Sequence, residues 1–281
     1  MTFLLVLFAA ALSLWMIPVA RRGRTYWLAL AVLGLGTVFG PNFLSFDGPI
    51  QISLDRVLFA LTFALAIAGV AFRSAPLPKL HRLDWVVMAM VLWFGWSAIR
   101  GGSDPPGTPP TARWLFYIAM PAGMYLIARV SQFERLDIRT LLISAVGLGT
   151  YLAITAVFEI KGLHHLVFPG YITDPATWEF FGRGRGPLMN PSGNGVLIAI
   201  GITAATILWV RSSRRQRVIS SVVLLCLLAG LYATLTRSAW LGGAAAMGMV
   251  LLFHSARWVR VFGLACCVLL AGLATTSLKD E

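Results

Sequence analysis

Three arginines and an asparagine are the residues of this chain best suited to hold an anion. Arg183 and Arg185 alternate with glycines in GRGRGPLMNPSGNG (182–195), and Arg237 sits in ATLTRSAWLGG (233–243). A guanidinium presents a planar fork of donors that matches phosphate or carboxylate. The flanking glycines let the backbone approach an anion and leave both guanidiniums free. Asn190, Pro191 and Ser192 then offer caps for a following helix, whose first amides favour negative charge. The stretch lacks the GK[ST] of a P-loop and is not a G-x-G-x-x-G after a strand, so nucleotide binding is not indicated. Together the residues suggest a polyanion site.

Arg237 also needs an explanation of its own, being the one charge between Val218 and Phe253. Those 36 residues would measure about 54 Å as one helix, nearly twice the hydrocarbon thickness, so the run must fold as a hairpin. Two equal spans put the bend at Thr236-Arg237-Ser238. There the arginine either snorkels to headgroups or, packed among the small residues on both sides, pairs with an anion. That anion is a carboxylate of the protein or a phosphate of a ligand; no carboxylate lies within a helix turn of Arg237, which favours the phosphate without requiring it.

The elements that must position these groups are membrane helices. The 281 residues are 58% hydrophobic and 12% charged, about half the roughly 25% usual for soluble proteins. Apolar blocks alternate with short basic clusters, and the blocks predict about ten spans near 3–20, 26–40, 54–72, 84–99, 114–130, 139–158, 193–210, 218–236, 238–254 and 259–276. The first block has no basic residues ahead of it and RRGR behind it, so it reads as a membrane helix and not as a signal peptide. The expected architecture is an all-α, polytopic integral membrane protein forming a single transmembrane domain over 1–281.

The net charge of +12 follows topology. Of 23 lysines and arginines, eight (Arg56, Arg100, Arg113, Lys161, Arg183, Arg185, Arg237 and Lys279) fall on one side of these spans, leaving fifteen on the other. By the positive-inside rule the fifteen are cytoplasmic and the anion-binding residues face outward. That placement excludes nucleic acid as a partner of the RG run, and RSSRRQR (211–217) is a topogenic cluster touching anionic lipid. The longest outer loop, Glu159 to Ser192, carries the glycine-rich stretch, and long irregular loops are often functional. Within it Asp174-Pro175 reads as a helix start that places Trp178 and Phe181 on one face of a short interfacial helix. His164 and His165 do not share a helix face and find no third ligand, so no metal site is expected; a general-base role stays open beside plain packing. Cys226, Cys266 and Cys267 lie in apolar runs and read as small packing residues.

The pattern of GRGRGPLMNPSGNG before a span, a basic inner loop, a returning span and then TLTRSAWLGG resembles the O-antigen ligase and O-antigen polymerase family, over about Phe181 to Phe253. Members carry R-x-x-G-x-x-x-N-P and, one hairpin later, a T-x-S-R or T-R-S turn; here Ser238 follows Arg237 where many relatives have serine before arginine. The resemblance implies a multi-pass protein of the bacterial cytoplasmic membrane that transfers a glycan from an undecaprenyl-pyrophosphate donor to a sugar hydroxyl. The acceptor would be a growing glycan or a lipid A-core-like molecule, in O-antigen (lipopolysaccharide), capsule or exopolysaccharide synthesis. It assigns Arg183, Arg237 and Asn190 to the donor pyrophosphate, which Arg185 joins from the reading of the glycine-rich stretch, with no metal and no cofactor. It also implies a base histidine in a large later periplasmic loop. The chain ends at TTSLKDE near where that loop would begin, so the expectation is an N-terminal portion that binds the donor without transferring it. The alternative is a transporter or flippase for an anionic lipid or solute, which predicts internal repeats and midplane ionisable residues that are not evident.

Overall fold

A computed structural model describes residues 25–40, 52–72, 79–101, 109–131, 135–176 and 179–254, with Val261 and Val268. The expected spans at 3–20 and 259–276, Trp178, Cys266 and Cys267 lie outside these residues. The described residues are helical and contain no strand. Among the described residues five helices are long and apolar enough to cross a membrane, and they are the basis for reading the chain as a membrane protein.

The chain divides into two units. The first contains most of α1 (Thr25–Phe39), then α2 (Leu54–Ala71), α3 (Arg82–Arg100), α4 (Pro110–Trp114), a π-helical turn (Leu115–Ala119) and α5 (Met120–Val130). The π turn has a local cause. Pro121, at the start of α5, lacks the N–H that would bond back to Tyr117, and a wider turn absorbs the missing rung. At the other end of this unit Asp84 closes a capping box with His81 and accepts from Arg129 Nε (3.1 Å) and the Tyr125 hydroxyl (2.6 Å). That ties α3 to α5.

The second unit holds the end of α1 (Thr37–Phe39) with α6 (Arg135–Ile160), α7 (Pro191–Val210), α8 (Arg214–Ala233) and α9 (Arg237–His254). Between α6 and α7 run two 3₁₀ turns (His164–Leu166 and Gly170–Thr173) and the glycine-rich stretch. Helix α7 is central and packs against α6, α8 and α9. The core is Leu152, Ala153, Ile198, Ile202, Leu227 and Leu231 with small residues between them. The α8–α9 connection turns within Thr234–Thr236, so Arg237 opens α9 at the bend the length argument predicts. Helix α9 then leaves α8 and lies along α7, parallel to it. The two helices meet at their first turns, where a Cβ on Gly195 would stand 2.5 Å from that of Ala239.

Close approach of backbones holds this unit together. Between helices in lipid there is little hydrophobic drive, so contact rests on van der Waals packing, and small residues let backbones come near. A Cβ on Gly149 would reach Gly201 Cα at 3.0 Å, and one on Gly230 would reach Cα and Cβ of Ala153 at 2.3 Å. Gly147, by contrast, faces open space. Gly230→Ala should therefore destabilise the protein by about 1–3 kcal/mol, because the clash is with backbone and α6 and α8 must part. Gly147→Ala should be neutral or stabilising by about 0.5–1 kcal/mol through helix propensity. Thermal unfolding of the two variants in detergent checks both signs.

Candidate functional site

The glycine-rich stretch is wedged among helix ends of the second unit. Gly184 donates its N–H to Ala233 O at the end of α8 (2.9 Å) and accepts from Asn194 Nδ2 in the first turns of α7 (2.9 Å). A Cβ there would stand 2.6 Å from that of Ala156 on α6. Three helices thus converge on one residue that only glycine can be. Gly186, at φ +56°, packs on the Asn194 amide, which a Cβ would meet at 2.8 Å. Asn194 is fully buried, and its Oδ1 has no hydrogen-bond partner among the described residues.

Glu159, buried at the end of α6, accepts from Arg185 N (3.1 Å) and Gly186 N (2.9 Å). The N–H groups of residues 184 to 186 are therefore all used within the protein. For Gly184 and Gly186 this corrects the expectation that the glycines expose backbone to an anion, since both admit neighbouring helices, whereas Gly182 faces open space.

Arg185 is buried. Its side chain is 1% exposed, and the guanidinium donates to Ile172 O (3.0 and 2.6 Å), Glu179 O (2.8 Å) and Asp174 O (3.4 Å). The Phe181 ring covers it at 5.2 Å. Burial lowers its pKa, and Glu159 and Asp174 oppose that shift. A guanidinium stays charged under such conditions, so Arg185 acts as a fixed cation that gathers the carbonyls of the 172–179 segment.

Arg183 has the other fate. Its Nε donates to Thr234 O (3.4 Å), and its Nη2 to Leu235 O and to Thr236 Oγ1 (3.1 Å). These bonds brace the α8–α9 turn, in which Leu235 takes φ +49°, a left-handed conformation that costs a non-glycine residue free energy. The side chain is half-buried, and these bonds use Nε and Nη2 and not Nη1. Arg183 is thereby held to the turn that immediately precedes Arg237, which is itself half-buried in the first turn of α9.

Asn190 is the N-cap of α7: its Oδ1 accepts from Ser192 N (2.9 Å) and Gly193 N (3.2 Å). The predicted cap is present. Its Oδ1 occupies first-turn amides that an anion would otherwise use, which leaves the side-chain Nδ2 as the donor of this exposed residue. The short helix expected at Trp178 and Phe181 is not seen in the described flanks. Asp174 Oδ1 accepts from Ala176 N (2.9 Å), closing a local turn, and Phe180 has φ +57°. His164 and His165 form an exposed 3₁₀ turn, with the His164 ring edge-on to Phe181 at 6.0 Å.

The base of the loop is tied by two tyrosines that sequence reasoning does not single out. The Tyr171 hydroxyl lies 2.7 Å from both Phe39 O and Pro187 O and donates to one at a time. Burial raises this phenol above its ordinary pKa, so it remains a donor. Gly40, at φ +70°, makes room for it, since a Cβ would fall 2.0 Å from the hydroxyl. Tyr151 reaches Phe168 O (2.5 Å) and Val38 O (3.1 Å) in the same way. Glu159 and Asn194 also escape sequence reasoning. Their signal is polarity within predominantly apolar helices, where each must find a partner.

The two remaining arginines are neighbours in the fold. Arg183 and Arg237 stand at one turn, beside the parallel first turns of α7 and α9, and those helix ends carry partial positive charge. Compared with protein-family models, curated proteins and solved structures, the chain matches none of them.

The two arginines of the glycine-rich stretch should part company on mutation. Arg185→Ala leaves three carbonyl groups to lose their donor, and removal of a buried charged partner costs at least about 3 kcal/mol. It should lower the unfolding temperature and open Lys161 and Arg183 to trypsin. Arg183→Ala, touching a half-exposed group, should lower stability by about 1 kcal/mol or less. Limited proteolysis with thermal unfolding reads the difference.

Proposed function

We propose that the protein binds the pyrophosphate of a polyprenyl-linked glycan at the outer face of a bacterial cytoplasmic membrane and serves glycan transfer to a sugar hydroxyl, as an O-antigen ligase or polymerase does. The observation that carries the reading is the bracing of Arg183 on the Thr234–Thr236 turn, which brings the arginines of two separate sequence motifs to one helix-end junction. Two guanidiniums 54 positions apart, both half-buried beside helix N-termini, form an electropositive corner suited to a diphosphate. Such a corner would stabilise charge on a leaving pyrophosphate.

The proposed topology has ten spans with this corner outside, which the distribution of basic residues supports. The membrane holds the lipid tail and the water-facing loop admits the acceptor. No metal or cofactor enters this reading. An acceptor hydroxyl needs a base, and the exposed His164 and His165, in the same loop as Arg183, are the first described residues to examine.

Two measurements test it. A cysteine replacing the exposed Ala176, with Cys226, Cys266 and Cys267 removed, should react with an impermeant thiol reagent in intact cells; reaction only after permeabilisation places the corner on the wrong side. Purified protein should bind undecaprenyl pyrophosphate, and Arg237→Ala should weaken binding about tenfold or more, the value of a charge-assisted bond. Arg237→Lys should also weaken it, because an ammonium cannot reproduce the planar fork. Equal affinity in wild type, Arg183→Ala and Arg237→Lys overturns the assignment.

A further inference from the structure

The first unit contains an apolar groove, of about 490 Å³, between α3 and the α4 segment. Val91, Gly95, Trp96 and Ile99 of α3 face Trp114 and Leu115 across it. Its wall is built deliberately. The Trp114 indole lies against Gly95, where a Cβ would come within 3.1 Å, and its one polar atom, Nε1, donates to Val91 O (3.0 Å). The ring is thereby fixed with its N–H satisfied inside the wall, and the surface it presents is apolar.

A soluble small molecule is a poor match, since such sites place a few convergent polar groups among apolar ones and this groove has almost none. Polarity appears at one end only. Arg100, in the last turn of α3, stacks over the Trp96 ring at 4.6 Å, above the groove wall. The groove runs from Val91 to Ile99, about 12 Å along the helix axis. It begins inside an apolar span and ends where that span ends. An apolar channel closed at its membrane-surface end by a guanidinium and a tryptophan complements an anionic lipid, with the chain below and the phosphate above.

We propose that this groove holds an acyl chain of an anionic glycerophospholipid from the surrounding leaflet, with its phosphate on Arg100. Arg113 supplies an internal control. It lies about 200° round its helix from Thr111, a groove residue, so it is equally basic and close in sequence yet faces away.

The test is native mass spectrometry of the full chain in detergent, with phosphatidylglycerol and phosphatidylcholine as probes. Wild type should retain one phosphatidylglycerol in preference to phosphatidylcholine. Arg100→Ala should lower phosphatidylglycerol retention about tenfold and remove the preference, whereas Arg113→Ala should match wild type. Ala98→Trp, which fills the groove, should abolish retention of both lipids; Ala98→Leu is the milder filling should tryptophan prevent folding, and should reduce retention in step. The proposal is overturned if the filled variants retain lipid as wild type does, or if Arg113→Ala and Arg100→Ala lose it equally, which would mean diffuse attraction to basic protein. It is equally overturned if wild type retains no lipid, and a lowered unfolding temperature in the filled variants would then mean that another segment of the chain occupies the groove.

Discussion

The loop side of the second unit depends on one buried cation. Arg185 is taken out of water almost completely, and a desolvated guanidinium is tolerated only with its donors met. Carbonyls of Ile172, Asp174 and Glu179 meet them, one from the 3₁₀ turn Gly170–Thr173 and two from outside any described helix. Each side satisfies the other: the segment supplies acceptors to the cation, and the cation supplies a fold to the segment. The Arg185 and Gly186 amides are at the same time fixed by Glu159. The loop is therefore clamped to the end of α6 by its backbone and to its own upstream half by a side chain.

That clamp sets the helix ends. Gly184 can touch Ala156, Asn194 and Ala233 together only because residues 185 and 186 are already held, and through Gly184 the ends of α6, α7 and α8 stay in register. Below the junction the same economy of volume recurs at Gly149 with Gly201 and at Gly230 with Ala153. Since lipid competes on equal terms for apolar side chains, close backbone approach is the means by which α7 keeps three neighbours. The polar junction at one end and the small-residue seam below it are complementary: the first sets orientation and the second sets distance.

Much of this was legible in the sequence, for reasons that differ by residue. The bend at Thr236 and Arg237 follows from length, because 36 apolar residues do not fit across a membrane once. Asn190 as a cap follows from local chemistry with Pro191 after it. The roles of Arg183 and Arg185 do not follow, because two arginines with the same glycine neighbours look alike and their partners are backbone carbonyls, which carry no sequence signature. The expected helix near Phe181 fails for a related reason. Asp174 is equally suited to cap a helix or to close a turn on Ala176, and the demand of Arg185 for free carbonyls at 172, 174 and 179 selects the turn, since a helix would have tied those oxygens into its own bonds.

The separation of the two arginines has a geometric origin. In an extended chain residues two apart project to the same face, so an extended Arg-Gly-Arg would send both guanidiniums inward or both outward. Here Arg185 N also donates to Arg183 O (2.7 Å), closing a three-residue turn centred on Gly184. The chain reverses at the glycine, one arginine enters the carbonyl cage and the other swings to the α8–α9 turn. Gly184 is required for the room three helices leave it, and the turn that divides the arginines is centred on the same residue. A side chain at 184 would change more than packing: it would move Arg183 off the turn before Arg237 while leaving every charge in the sequence in place. The proposed electropositive corner would therefore be a product of backbone geometry at a residue that carries no charge.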